Sequence, residues 1–206
     1  MTRAEEVLKA MAEVKKKPNT APLRIKDKEG VRRRQSAQLS LSALLAATKK
    51  LRPGFNKHNK IELSSAILHP RAHRLVLRAQ VKSLTDDTRK AYPIVIVFFR
   101  VSSKEKKDKE FRIPVELGGQ TVYIKQLSVA DNPVNIRCGC QDFFWTWNWY
   151  NFKNKALTGP RVPLYTRKTP PPPEGLPYRN PIGVPGLCKH LHGTMQKLVQ
   201  MKILGN

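Results

Sequence analysis

Between residues 60 and 140, hydrophobic and polar residues alternate with the period of two that is typical of β-strands. The clearest stretch is 74–82, where apolar and basic residues occupy opposite faces: Leu75, Leu77, Ala79 and Val81 on one, and Arg74, Arg78 and Lys82 on the other. Residues 91–101 are almost continuously apolar, which predicts the central strand. With residues 60–68, 111–117, 122–127 and 134–140, they predict an antiparallel sheet of about five or six strands.

A period of 3.6 residues predicts three helices outside this sheet. The first spans residues 2–17, where Thr2 and Glu5 form a capping box and Pro18 ends the helix. The second spans residues 36–51, and the third spans residues 187–204 at the C-terminus. The predicted fold class is therefore α+β, with a helical N-terminal extension and a C-terminal helix.

The chain carries 39 Lys and Arg against 15 Asp and Glu, a net charge of +24. Residues 1–60 contribute +11 and residues 137–206 contribute +8, so the two ends are the most basic parts. A field of this size favours polyanions such as nucleic acid or acidic protein surfaces. The predicted phosphate or acidic-partner contacts are two clusters: Lys15, Lys16 and Lys17, and Arg32, Arg33 and Arg34.

All three cysteines lie in two short motifs near the C-terminus, Cys138-Gly139-Cys140 and Cys188-Lys189-His190. Three thiolates and one imidazole form a ligand set that a structural Zn²⁺ ion takes. A Cys-x-Cys pair bridges poorly as a disulfide, and three cysteines would leave one unpaired. The sequence predicts one structural Zn²⁺ on Cys138, Cys140, Cys188 and His190. The alternatives are three buried free cysteines, or His192 as the fourth ligand, since Cys188 and His192 would share a helix face.

This C-x-C…C-x-H arrangement resembles the SWIM-type zinc-binding domain, and the likeness covers the last third of the chain. In that family the first pair ends a β-hairpin and the second opens a helix, so the resemblance implies a zinc-knuckle C-terminal helix. The 47 residues between Cys140 and Cys188 make a longer gap than is usual there. More loosely, the chain resembles small SWIM-type proteins of tailed bacteriophages.

The insertion, residues 141–187, has an unusual composition. Seven of the ten residues 143–152 are aromatic, and Pro170–Pro173 form an unbroken proline run that predicts extended polyproline II structure. The predicted docking aromatics are Phe144, Trp145, Trp147, Trp149 and Tyr150. The alternative is that about half of the rings cover the zinc site.

These features divide the chain into a basic helical arm (1–59), a β core (60–136) and a SWIM-like zinc module (137–206). We find no phosphate-binding glycine loop, paired acidic cluster or nucleophile–base pattern, so we expect no enzyme and no small-molecule substrate. The sequence has no apolar stretch that indicates a membrane span or a signal peptide. We therefore expect the protein in a virion or in the host cytoplasm, and not secreted through a signal peptide.

Two non-catalytic functions are consistent with these sequence features. The first is a non-catalytic structural protein of a large assembly, most simply a tailed-phage head, neck or tail component that contacts acidic subunits or packaged DNA. The alternative is a free SWIM-type nucleic-acid-binding module. The long arm and the long insertion favour the first, because an assembly protein needs extensions that reach its neighbours.

Overall fold

A computed structural model describes residues 37–55, 60–71, 73–84, 90–162 and 179–205. The helices are α1 (Leu41–Leu51), α2 (Asn148–Lys153) and α3 (Lys189–Gln200), and the π-helical turn Phe143–Trp147 precedes α2. The strands are β1 (Ile61–Arg71), β2 (Arg74–Ser83), β3 (Ala91–Phe99), β4 (Ser103–Lys104), β5 (Phe111–Leu117), β6 (Gln120–Lys125), β7 (Leu127–Ser128), β8 (Val134–Cys138) and β9 (Leu204–Gly205). The mixed α+β class is confirmed. The predicted helix over residues 2–17 lies outside the described residues.

The strands form a main sheet, a smaller sheet and a short parallel pair, rather than the single sheet that the alternation predicts. The main sheet has the order β1-β2-β3-β8 and is antiparallel throughout. The smaller antiparallel sheet has the order β4-β6-β5, and β7 pairs with β9. Arg100 directly after β3 adopts a positive φ of 58°, which turns the chain away, and β8 then takes the place beside β3.

The alternation in β2 separates an inner face from an outer face. Leu75, Leu77 and Val81 are fully buried, whereas Arg74 and Arg78 are exposed. Helix α3 packs against the inner face and contacts all four strands of the main sheet. The small sheet adds Val115, Val122 and Ile124 to the same hydrophobic cluster. The prediction of opposite apolar and basic faces is confirmed.

The helices begin and end where local backbone chemistry allows. Helix α1 starts at Leu41 rather than near residue 36, because the Ser40 side chain caps it by accepting a hydrogen bond from the Ala43 amide at 3.3 Å. Helix α3 is shorter than the predicted 187–204. Cys188 is extended at its N-cap, and Lys202 with φ of 58° turns the chain into β9.

A helix over residues 141–153, which we call the aromatic helix, was missing from the sequence prediction. It contains the π-helical turn and α2, and it opens the insertion. None of the helices in the described ranges is long and apolar enough to cross a membrane.

Candidate metal centre

The end of β8 delivers the first pair of candidate ligands. Cys138 is the last residue of β8 and pairs with Ile94 of β3. Gly139 follows, and its amide donates to the Pro93 carbonyl at 2.9 Å. A side chain at Gly139 would place its Cβ 2.8 Å from Pro93 Cδ, so the close approach requires glycine. Cys140 then directly precedes the aromatic helix.

The second pair comes from the start of α3. Cys188 is the extended N-cap residue, and its carbonyl accepts the His192 amide at 3.0 Å as the first hydrogen bond of the helix. His190 lies in the first turn, and its ring packs against Tyr92 of β3 with 4.7 Å between centroids. The second pair therefore opens a helix, as the resemblance implies, whereas the first pair ends a strand whose partner is β3 and not a neighbouring hairpin strand.

The four predicted ligands are brought together. One donor atom from each of Cys138, Cys140, Cys188 and His190 lies within 4.8 Å of all the others. The Cys138 Sγ to His190 Nδ1 distance is 4.0 Å. The residues are 4%, 3%, 0% and 2% exposed in that order.

This geometry fits a tetrahedral metal ion. With Zn–S bonds of about 2.3 Å and Zn–N bonds of about 2.0–2.1 Å, tetrahedral S and N ligands stand about 3.5 Å apart. The Cys138 Sγ to His190 Nδ1 distance of 4.0 Å is within about half an ångström of that value, and no two of the four donor atoms are more than 4.8 Å apart. The cluster can therefore hold one metal ion, and soft thiolate donors favour zinc among the common divalent ions.

The electrostatics favour negative charge on one sulfur even before a metal binds. Hydrogen bonds from the Cys138 and Cys188 thiols lower the pKa of Cys140 far below its usual range. The Phe143 amide also donates to Cys140 Sγ, at 3.3 Å. The pKa of Cys188 is raised, first by burial and then by the neighbouring sulfurs. The pKa of Cys138 is raised as well, chiefly because its thiol donates to Cys140.

Both pairs also lie at helix N-termini. Cys140 precedes the aromatic helix and Cys188 caps α3, so both cysteine pairs lie at the positive ends of helix dipoles. Three thiolates with one divalent cation carry a net charge of −1, which these dipoles stabilise. The site thus suits an ion bound by three thiolates.

The structure distinguishes between the two candidate histidines. His190 belongs to the donor cluster, whereas His192 packs against Phe55 with ring centroids 5.3 Å apart. Burial lowers the pKa of His192, and the charge of Lys49 lowers it further. His190 is therefore the fourth ligand that the geometry supports.

The predicted docking aromatics are divided between surface and core. Phe144 and Trp145 are each 41% exposed and form an edge-to-face pair at 4.5 Å, while Trp149 and Tyr150 are half-buried. Trp147 is fully buried, which corrects its placement on a docking surface. Its ring lies so close to Gly186 that a Cβ there would stand 2.4 Å from Trp147 Cζ3.

A framework of contacts that the sequence did not predict holds the aromatic helix beside the four candidate metal ligands. Arg52 donates to both oxygens of Asp142 at 3.0 and 2.7 Å, and its guanidinium lies over the Trp147 ring. Asp142 stands out in the sequence as the one acid near the first cysteine pair. Nothing in the sequence indicates Arg52 as its partner, because the two are 90 positions apart.

Buried asparagines form the rest of this framework. The Asn151 side chain accepts the Gly186 amide and donates to the Gly186 carbonyl, both at 2.9 Å. Asn180 donates to the carbonyls of Thr146 and Val184 at 3.1 and 2.7 Å. Residues 179–187 are thereby fixed on the aromatic helix and lead the chain directly into Cys188.

The six basic residues predicted to contact phosphate or acidic partners lie outside the described residues, as does the proline run Pro170–Pro173. Comparison of the chain with protein-family models, curated proteins and solved structures found no match. The resemblance to SWIM-type domains therefore rests on the ligand residues and their placement on a strand end and a helix start.

Proposed function

We propose that this protein is a non-catalytic, basic structural protein that one Zn²⁺ ion stabilises and that joins acidic partners within a larger assembly. The observation that carries the proposal is the saturated donor set: four buried protein ligands converge on one point. Tetrahedral zinc with four protein ligands has no open position for a water or a substrate. When bound, the ion supplies a cross-link between β8 and α3.

Charge supports the second half of the proposal. The chain has 39 basic against 15 acidic residues, and the described residues form only three ion pairs: Arg52–Asp142, Lys104–Asp108 and Lys125–Glu110. Most basic side chains in this part of the chain therefore form no ion pair with an acid of the described residues. Such a surface repels copies of itself and attracts polyanions. The expected partners are acidic protein subunits or packaged nucleic acid.

The likeness to small phage proteins would place this assembly in a virion head, neck or tail. The alternative, a free nucleic-acid-binding module, uses the same charge without fixed neighbours. The two differ in stoichiometry, because a structural component forms a complex of defined mass whereas a free binder distributes along its ligand.

The test is size-exclusion chromatography with light scattering on the full chain, with metal content measured on the same peak. The added polyanions are poly-glutamate, single-stranded DNA and duplex DNA, each at low and moderate salt. We expect one zinc per chain and a complex of defined mass with at least one polyanion. A protein that stays at 23.5 kDa with every polyanion would overturn the proposal. Metal-dependent turnover would overturn its non-catalytic part.

A further inference from the structure

The outer face of the main sheet carries a row of positive charges. Arg74, Arg78 and Lys82 lie four residues apart on β2, so they point to the same face at intervals of about 13 Å. The register places Arg71 of β1 directly opposite Arg74. We call these four residues the outer-face cations.

The outer-face cations have no acidic partner among the described residues. Glu62 is the single acid in the four strands of the main sheet, and it stands opposite Lys82 in the register without an ion pair. These positive charges also affect the pKa of His69, which lies on the same face. Burial lowers the pKa of His69, and the charges of Arg78 and Arg71 lower it further.

Apolar side chains share this face with the cations. Ile67 is 38% exposed and lies opposite Arg78. Val76, Val95, Val97 and Phe99 are half-buried, and the Arg74 guanidinium lies 5.8 Å from the centre of the Phe99 ring. Helix α3 covers the opposite, inner face, where His190 contacts Tyr92. The outer face is therefore a surface of charges with apolar groups between them.

We propose that the outer face of the main sheet binds single-stranded nucleic acid, with phosphates on the outer-face cations and bases over the apolar side chains. This inference names a partner and a binding surface for the proposed function. It rests on that function, which requires a polyanionic partner. The choice of nucleic acid follows from charge complementarity between the outer-face cations and the phosphates. A regular row of cations suits a polymer with regularly repeated charge, and guanidinium groups bind phosphate oxygens in a bidentate manner.

The apolar groups favour a single strand over a duplex. A duplex turns its phosphates outward and keeps its bases stacked inside, so it would leave Ile67 and the valines against charged backbone. A single strand exposes base faces that can cover apolar and aromatic side chains while its phosphates meet the cations. An acidic protein would match the charge but has no fixed repeat.

The experiment measures binding of a fluorescein-labelled oligothymidylate of about 20 nucleotides by anisotropy over a salt series. The outer-face variant is Arg74→Gln/Arg78→Gln/Lys82→Gln. The matched control is Lys106→Gln/Lys107→Gln/Lys109→Gln, which removes the same charge from exposed positions of the loop between β4 and β5. Thermal melting and metal content establish that each variant is folded.

We expect the outer-face variant to lose about 100-fold in affinity at about 0.1 M salt and its salt slope to fall by about 2, because each lost single-strand phosphate contact lowers the slope by about 0.7. The loop variant should lose less than about threefold. If the triple variant does not fold, Arg78→Gln alone should lose about fivefold, with Lys107→Gln as its control.

Equal losses in the two triple variants, or no loss in either, would overturn this inference and leave the proposed function intact. Tighter binding of a matched duplex or of poly-glutamate by the wild-type protein would overturn the choice of a single strand. If the wild-type protein binds no polyanion, the proposed function fails as well.

Discussion

Gly139 is the residue at which the metal site depends most directly on backbone packing. An added methyl group would meet Pro93 Cδ at 2.8 Å and Cγ at 2.9 Å, and these ring atoms cannot move without shifting β3. We expect Gly139→Ala to lower the free energy of unfolding by about 1–3 kcal/mol, the usual cost of overpacking. Urea denaturation of the metal-bound protein measures this difference.

The control for that substitution is Gly54→Ala. Gly54 has no atom within 4 Å of an added Cβ, so the change should stay within about 0.5 kcal/mol. Equal stabilities of the two variants would show that the contact with Pro93 does not constrain the cysteine pair.

At the scale of single residues, the metal ligands could be predicted because spacing and residue type carry the chemistry. The choice of His190 over His192 could not, since both are short steps from Cys188. It follows from the helix phase, which turns His192 toward Phe55. The burial of Trp147 was equally hidden, because it depends on Gly186, which is 39 positions away in the sequence.

Two buried amide side chains, Asn151 and Asn180, join the aromatic helix to residues 179–187, and Asn151 makes both bonds to Gly186. Asn151→Ala would leave the Gly186 amide and carbonyl without partners. We expect a loss of about 2–6 kcal/mol in the free energy of unfolding, since each of the two orphaned buried groups costs about 1–3 kcal/mol. Hydrogen exchange should report faster amide exchange at Gly186.

Asn154→Ala is the matched control, because the Asn154 side chain donates to the nearby Tyr150 carbonyl at the end of the same helix and to no other group of the described residues. Its cost should be about 1 kcal/mol or less. If Asn151→Ala were as mild as this control, residues 179–187 would not depend on the amide.

At the scale of elements, the strands were predictable because one buried face imposes a period of two. Their division into two antiparallel sheets and a parallel pair was not, because the chain leaves the main sheet at Arg100, whose φ is 58°, and arginine gives no signal for that conformation. The aromatic helix was missed because aromatic residues have no strong helix preference. Tertiary contacts, among them Arg52 with Asp142, stabilise it instead.

At the scale of the whole molecule, metal removal should act beyond the site itself, because the ligands come from the main sheet and from the helix that covers it. We expect a zinc chelator to lower the melting temperature and to speed amide exchange in α3 and the aromatic helix, while β1 and β2 stay protected. His190→Ala should bind no zinc at micromolar metal.

His192→Ala is the matched control, since His192 is equally buried and lies in the same helix. It should keep one zinc per chain despite the lost packing on Phe55. Metal retention in His190→Ala with loss in His192→Ala would reverse the ligand assignment. An unchanged melt after metal removal would contradict a structural role for the ion.

The two ligand pairs stand at the two ends of the insertion, residues 141–187. A metal ion bound by both pairs would therefore close the chain between Cys140 and Cys188 into a loop. The ion would set the distance between the two ends of the insertion, so that the aromatic helix and residues 179–187 start from fixed points at the end of β8 and the beginning of α3.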